Sequence, residues 1–362
     1  MPSPTTTAVL PRALLRTFAS LSTPRHPAIS IPTLSCRTTA ASASAPAILP
    51  RIARATTTAR SFSASAVVRE PPREFESDNN APAPPAADKA STATAYLGTQ
   101  KRLPEFSLRD KVVLVSGGAR GLGLTQAEAL LEAGATVYAL DRLPIPSPDF
   151  APIQERARSE LGTALHYRQI DVRDVAGLNK IVAAIGDEHG RLDGLIAAAG
   201  IQQETPALEY SAEDANTMLE VNVTGAFMTA QAAAKQMIRF DNGGSIVMIA
   251  SMSGTIANRG LICPAYNASK AAVIQLARNL ASEWGAYGIR VNTISPGYIV
   301  TAMVEELFKQ FPERRTDWPT QNMLGRLSAP QEYRGAGVFL ISDASSFMTG
   351  SDLRIDGGHA AW

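Results

Sequence analysis

The chain has 362 residues, 45% of them hydrophobic, and a formal net charge of +1. That is enough apolar material for one large core or two modest ones. Only two cysteines, Cys36 and Cys263, and four scattered histidines (His26, His166, His189, His359) are present, which excludes a disulfide framework and any recognisable metal-ligand spacing.

Charge is unevenly placed along the chain. Residues 1–69 hold eight Arg and no Lys, Asp or Glu; subtracting these eight from +1 leaves 70–362 at −7. A net-acidic body without a basic stripe is a poor nucleic-acid binder. No run approaches the ~18 consecutive apolar residues of a membrane span. Within the basic segment, Ala8–Phe18 mixes Arg into an apolar run, unlike the uninterrupted core of a secretory signal. An amphipathic, Arg-rich, acid-poor leader reads as a mitochondrial transit peptide. Arg60–Ala66 resembles the end of many mitochondrial leaders, with cleavage nearby. The expected compartment is the mitochondrial matrix, or the cytoplasm if the leader does not function. Residues 70–102 are a linker rich in Pro, Ala and acids, with too little apolar surface to fold. The folded domain is expected over 103–362.

Strands then alternate with helices. Lys111–Ser116 is a continuous apolar run, suited to a strand buried on both faces. A helix is expected over Leu122–Ala133, then a strand at Thr136–Leu140, a short helix near Pro152–Leu161 and a strand at Leu165–Ile170. A helix over Val175–Glu188 leads to a strand at Leu192–Ala198. The longest helical stretch is Ala212–Phe240, followed by a strand at Gly244–Ala250. A further helix runs from Pro264 to about Tyr287, and a strand covers Arg290–Ser295. Gly297–Arg326 reads as a loop-rich insertion. A helix at Glu332–Ile341 and a strand at Asp352–Ile355 complete the chain. This alternation predicts an α/β fold, a doubly wound parallel sheet with right-handed crossovers.

Two stretches carry chemistry. Between the first strand and the first helix lies Ser116-Gly117-Gly118-Ala119-Arg120-Gly121-Leu122-Gly123. Its glycines allow a tight turn and the approach of a pyrophosphate, whose charge the helix N-terminus favours. Asp141, ending the second strand, can accept bonds from both ribose hydroxyls and repel a 2′-phosphate, which favours NAD; Arg142 beside it would favour NADP. The second stretch is Pro264–Lys270. Tyr266 and Lys270, at i and i+4, share a helix face. An ammonium beside a phenol favours the phenolate. The pair is then a candidate general acid/base for a hydroxyl or carbonyl. Bringing a phenol from ~10 to about 7–8 takes roughly 3–4 kcal/mol, to which an oxidised nicotinamide would contribute. The alternative is a Tyr and a Lys that merely share a face.

Gly117, Gly121 and Gly123, with Tyr266 and Lys270, resemble the short-chain dehydrogenase/reductase family, whose further motifs match over nearly all of 108–362. The resemblance implies a Rossmann-type single domain with a substrate-side insertion. It implies catalytic roles for Asn222, Ser251, Tyr266 and Lys270, and no metal. It implies an NAD site, with NADP possible, at Gly117, Arg120, Gly121, Leu122, Gly123, Asp141, Asp171, Val172, Ala199, Gly200, Tyr266, Lys270, Pro296, Gly297, Ile299 and Thr301. By the same resemblance Tyr266 moves the proton, and Lys270 lowers its pKa and holds the nicotinamide ribose. Ser251 orients the substrate oxygen, and Asn222 holds a water for a Lys-linked relay. Ser253 competes with Ser251: a spacing of 13 residues before Tyr266 selects Ser253, whereas the glycine three residues on, Gly254, selects Ser251. The family's Asn-Ala-Gly after the fourth strand is here Ala197-Ala198-Ala199-Gly200, which removes an amide that braces the sheet.

On the substrate side, Gln202, Gln203, Asn258 and Tyr298 follow strand ends, and Trp318 sits in the insertion, which is a candidate lid. The runs around Ser251–Asn258 and Ser295–Ile299 are similar to those of fungal polyol dehydrogenases and ketose reductases of the mannitol, arabinitol and sorbose types. A small polyol or ketose is therefore the expected substrate. A 3-oxoacyl reductase or hydroxyacyl dehydrogenase is the same-class alternative. A non-catalytic NAD-binding subunit or redox sensor is the other. Family members commonly form tetramers through their long helices and C-terminal strand, so a homotetramer is expected, with Trp362 packed at a subunit contact.

Overall fold

β1 (Val112–Ser116) is buried at all five positions. It pairs in parallel with β2 (Thr136–Asp141) on one side and with β4 (Gly194–Ala197) on the other. β3 (Leu165–Gln169), β5 (Gly244–Ile249), β6 (Ile289–Pro296) and β7 (Asp352–Ile355) extend this into a seven-stranded parallel sheet ordered β3-β2-β1-β4-β5-β6-β7. The computed structural model describes residues 103–362. The leader 1–69 and the linker 70–102 lie outside the described residues.

Helices cover both faces, as all-parallel sheets require. On one face, α1 (Gly121–Glu132) and α9 (Arg334–Ile341) pack on Val113, Val115, Val137, Ile196 and Ile294. On the other, α3 (Val175–His189), α5 (Ala226–Arg239) and α6 (Pro264–Trp284) pack on Leu114, Tyr138, Leu195 and Met248. Strand order reverses between β1 and β4. The crevice above their C-terminal ends is where ligands bind in such sheets.

Three local features differ from the sequence expectation. The stretch expected as one helix over 212–240 is α4 (Ala212–Leu219) and α5 joined by a π-helical turn at Glu220–Gly225. A similar wide turn, Ala157–Leu161, extends the short α2 (Phe150–Arg156) up to Gly162. The insertion Gly297–Arg326 is mostly helical: α7 (Ala302–Gln310), capped by Thr301, whose side chain accepts from Val304 N, and α8 (Arg314–Thr320). Pro319 lies within α8, which buries Trp318. Trp362 is not packed within the chain: it is 80% exposed, its Nε1–H donating to Gln321 O at 2.9 Å. Among the described residues no helix is long and apolar enough to cross a membrane, and no acidic, His or Cys cluster could hold a metal ion.

Candidate active site

The glycine turn after β1 is shaped by backbone demands. Gly117 has φ +68°, and a Cβ there would stand 2.8 Å from Ala199 N. Gly121 has φ +54° with nothing within 4 Å of its missing side chain, so this position opens to the crevice. A Cβ on Gly123 would meet Gly117 O at 2.2 Å, so α1 seats directly on the turn. The exposed Arg120 does not cap α1 with its side chain, leaving the first N–H groups, Gly121 to Gly123, uncapped. An uncapped twelve-residue helix behind an open glycine suits a pyrophosphate. Leu122, half-buried, packs on the core beneath.

Asp141 closes the adenosine side. Its two carboxylate oxygens accept from Ala119 N and Leu143 N, each at 3.2 Å, which ties the glycine turn to the end of β2. Lone pairs remain for ribose hydroxyls. Asp171 is more committed: Arg173 donates to it at 2.7 Å and holds its carboxyl below the usual carboxylate range. Val172 is buried against Gly225, where a Cβ would approach its Cγ2 to 2.6 Å. Ala199 N–H donates to Ser116 Oγ at 3.3 Å, and the half-buried Ala198 packs on the core. The Ser116 hydroxyl and an apolar contact thus stand where a bracing amide was missed. Pro296 ends β6, and Gly297, Ile299 and Thr301 follow it around the opposite wall. A Cβ on Gly297 would lie 2.7 Å from Asp356 Cα, and Ile299 bridges Ser328.

The reactive cluster stands between these walls. Ser251 follows β5, and its Oγ accepts from Ser253 N at 3.1 Å. Gly254 packs on α6 so closely that a Cβ would lie 2.8 Å from the Lys270 carbonyl carbon. That contact fixes the serine turn against the Tyr266 helix. Of the two serines, Ser251 is the one whose hydroxyl bears on the Tyr266 phenol. Lys270, 5% exposed, donates from Nζ to Ile249 O at 2.8 Å and lies 5.6 Å from the centre of the Tyr266 ring. Burial pushes the phenol up to about 12, with Ser251 pulling the other way. Burial pulls the ammonium down to about 8. With protein groups alone, desolvation therefore outweighs the lowering of Tyr266 expected from Lys270.

Asn222 lies in the π turn behind this cluster. Its Oδ1 accepts from Ile201 N at 2.8 Å, while Nδ2 donates to Ile201 O at 2.9 Å and Ser269 Oγ at 3.0 Å. Both amide hydrogens are engaged, so a water for the relay would be held by an acceptor of Asn222, the second lone pair of Oδ1 or the backbone carbonyl, rather than by its NH2. Asn222 also clamps the segment after β4 to α6. Gly200, where a Cβ would be 3.3 Å from Asn222 Oδ1 and 3.5 Å from Lys270 Nζ, completes the packing.

The substrate side is an aromatic wall from the insertion. Tyr298 stacks on Trp318 (centroids 4.2 Å, planes 11° apart), and Phe308 meets Trp318 edge-on. Tyr266, Leu261 and Cys263 belong to the same cluster. Polar groups are set into it. Asn258 faces the Tyr298 hydroxyl at 3.5 Å and accepts from Asn267 at 3.0 Å. Gln203 donates to Thr205, and Gln202 is exposed. Arg314 makes a bidentate pair with Glu204, both contacts 2.8 Å. Neither partner of that pair, nor Asn267, stood out in the sequence: Glu204 and Arg314 are separated by 110 residues, and no spacing rule links them.

Known proteins resemble this chain in sequence and fold. A family model described as enoyl-(acyl carrier protein) reductase matches residues 117–360. A short-chain dehydrogenase/reductase, notP′ of Aspergillus versicolor, is 41% identical over 71% of this chain and 89% of its own. D-arabinitol 2-dehydrogenase (ribulose-forming) of Candida albicans is 36% identical over 74% of this chain and 99% of its own. Galactitol 2-dehydrogenase of Rhizobium johnstonii is 37% identical over 71% and 98%. Among solved structures, a gluconate 5-dehydrogenase from Burkholderia cenocepacia with NADP and tartrate superposes with a TM-score of 0.64 at 32% identity, covering 71% of this chain and 98% of that one. A carveol dehydrogenase from Mycobacterium avium with NAD gives a TM-score of 0.65 at 29% identity, covering 70% and 99%. The glycine turn at the switch point, the Ser251–Tyr266–Lys270 cluster beside it and these similarities together place the chain in the short-chain dehydrogenase/reductase family, as an NAD(P)-dependent oxidoreductase.

Proposed function

We propose that the protein interconverts a polyol and its ketose, with NAD as the preferred cofactor. The observation that carries the chemistry is the Ser251–Tyr266–Lys270 cluster opening on the switch-point crevice. The cofactor, when bound, supplies the hydride acceptor or donor. Gly121 to Gly123 would hold its pyrophosphate, Asp141 its adenosine ribose and Lys270 its nicotinamide ribose. Ser251 orients the substrate oxygen and Tyr266 gives or takes its proton. Burial keeps the Tyr266 phenol protonated and little phenolate is populated, so deprotonation of the alcohol needs a further positive charge beside Tyr266. Asn222 is a positioning residue that fixes the distance between the segment after β4 and α6.

Support for a polyol comes from two sides. Two relatives are named for arabinitol and galactitol. The cleft combines aromatic faces, Tyr298 and Trp318, with amide and charged groups suited to several hydroxyls. The preference for NAD rests on the Asp141 carboxylate. The test is a turnover screen of the purified protein with NAD and NADP across polyols, hydroxysteroids and hydroxyacyl thioesters. Polyols should give the highest kcat/KM; a hydroxyacyl thioester in first place would overturn the reading.

The acid-free, eight-Arg leader directs the protein to the mitochondrial matrix; a fusion of residues 1–75 to a fluorescent protein should enter mitochondria, and diffuse cytosolic signal would refute this. The protein assembles as a homotetramer, consistent with the exposed Phe347 and Trp362; light scattering at micromolar concentration should give four times the chain mass.

A further inference from the structure

The Glu204–Arg314 pair is built into the substrate wall. Glu204 belongs to the segment after β4, and Arg314 begins α8 in the insertion. Their side chains are 27% and 14% exposed, and both guanidinium NH2 groups meet the carboxylate at 2.8 Å. Arg314 also lies over the rings of Phe311 and Trp318, at 4.2 and 5.5 Å from their centres. Trp318 is the ring stacked on Tyr298. On the other side the Glu204 charge is felt at Cys263, three residues before Tyr266, where it adds to the burial that raises the thiol. The pair thus ties the segment after β4 to the aromatic wall.

A guanidinium in such a place is a carboxylate receptor: planar, always charged and able to take two oxygens at once. Here Glu204 already occupies its fork. A sugar acid entering the cleft would meet an internal carboxylate where it needs a cation, and would lose its hydration without gaining a partner. A neutral polyol meets no such opposition, and the outer lone pairs and N–H groups of the pair remain for its hydroxyls. We propose that Glu204 is a specificity-determining residue, which by neutralising Arg314 restricts the cleft to neutral polyhydric alcohols and rejects aldonates. The inference rests on the polyol reading for its positive half. Its negative half, exclusion of acids, stands on the ion pair alone. Discrimination built on an internal competing charge is a form of specificity by repulsion.

The test uses the full-length protein and three variants, Glu204→Gln, Arg314→Gln and the double substitution. Glu204→Gln keeps shape and one hydrogen bond while freeing the guanidinium. With NAD fixed, kcat/KM is measured for D-arabinitol and D-gluconate, and D-gluconate binding to the NADH complex is measured by calorimetry. Wild type should bind gluconate weakly. Glu204→Gln should bind it at least tenfold more tightly and raise the gluconate-to-arabinitol ratio by a similar factor. Adding Arg314→Gln should abolish the gain. Equal gluconate affinity in wild type and Glu204→Gln, or a gain that survives loss of Arg314, would overturn the inference. If wild type turns over no polyol, the substrate reading falls, while the gluconate affinities still decide the role of Glu204. Thermal melts of each variant report folding, and Arg314→Gln alone should show no gluconate gain, separating a freed charge from a merely loosened lid.

Discussion

Replacing Lys270 by Met gives a test of the buried charge that needs no substrate. Lys270 is 5% exposed and, among the described residues, hydrogen-bonded only to Ile249 O. Burial moves its ionisation from 10.5 down to about 8. That displacement corresponds to about 3 kcal/mol of penalty on the charged form at neutral pH. The unfolded chain keeps its proton up to 10.5, whereas the folded protein releases it above about 8. The unfolded state thus binds more protons across this window, and stability rises with pH through it. Lys270→Met removes the penalty but strands the Ile249 carbonyl, at roughly 1–3 kcal/mol. The offset at pH 7 is therefore small, of either sign. The pH dependence is not: the stability difference, wild type minus variant, should grow by about 2–3 kcal/mol between pH 7 and 10.5. Other lysines and tyrosines titrate alike in both proteins and cancel. Urea unfolding at fixed protein concentration, across that range, measures it. Parallel profiles for the two proteins would show that Lys270 is not held as a desolvated ammonium.

Tyr266→Phe keeps the ring in its aromatic cluster and removes the proton-transfer group. Turnover should fall ~10²–10⁴-fold with NAD affinity near wild type by fluorescence titration, and a loss of only a few-fold would remove Tyr266 from the mechanism. Ser251→Ala should lower kcat/KM by more than tenfold and Ser253→Ala by much less, because Ser251 alone of the two bears on the phenol; the reverse order in steady-state assays would exchange their roles. Asp141→Ala should narrow the NAD-over-NADP preference at least tenfold, chiefly through weaker NAD binding, since the carboxylate also anchors Ala119 and Leu143. A wild-type enzyme already preferring NADP would show that Arg142 prevails.

The parallel strands were readable because burial on both faces writes them as uninterrupted apolar runs: Val112–Ser116 and Gly244–Ile249 could be little else. The Gly117–Gly123 turn and the Tyr266–Lys270 spacing were readable because a local geometric demand fixes each. What escaped was tertiary. The helices of the insertion bury Phe308 and Trp318 against one another and Tyr298, a tertiary contact that the loop-rich composition of Gly297–Arg326 does not announce. The direction of the Tyr266 shift depends on how tightly the site is desolvated, which no i,i+4 rule contains. The Glu204–Arg314 pair forms only after the chain has folded over the cleft.

The wide turn at Glu220–Gly225 makes the enzyme sensitive to chain length rather than to composition at this point. A π turn accommodates one residue more than a regular helix would. Deleting one residue there would let α4 and α5 merge into an unbroken α-helix, with more regular hydrogen bonding and no apolar residue lost. The flanks would keep their relative orientation, because the wide turn is what absorbs the extra residue, and the displacement would fall on the turn itself, where Asn222 sits. Asn222 could then no longer face Ile201 and Ser269 together. The expected product is a chain of undiminished helix content with a dislocated catalytic floor, so insertions and deletions in this stretch should be selected against more strongly than substitutions at its exposed positions.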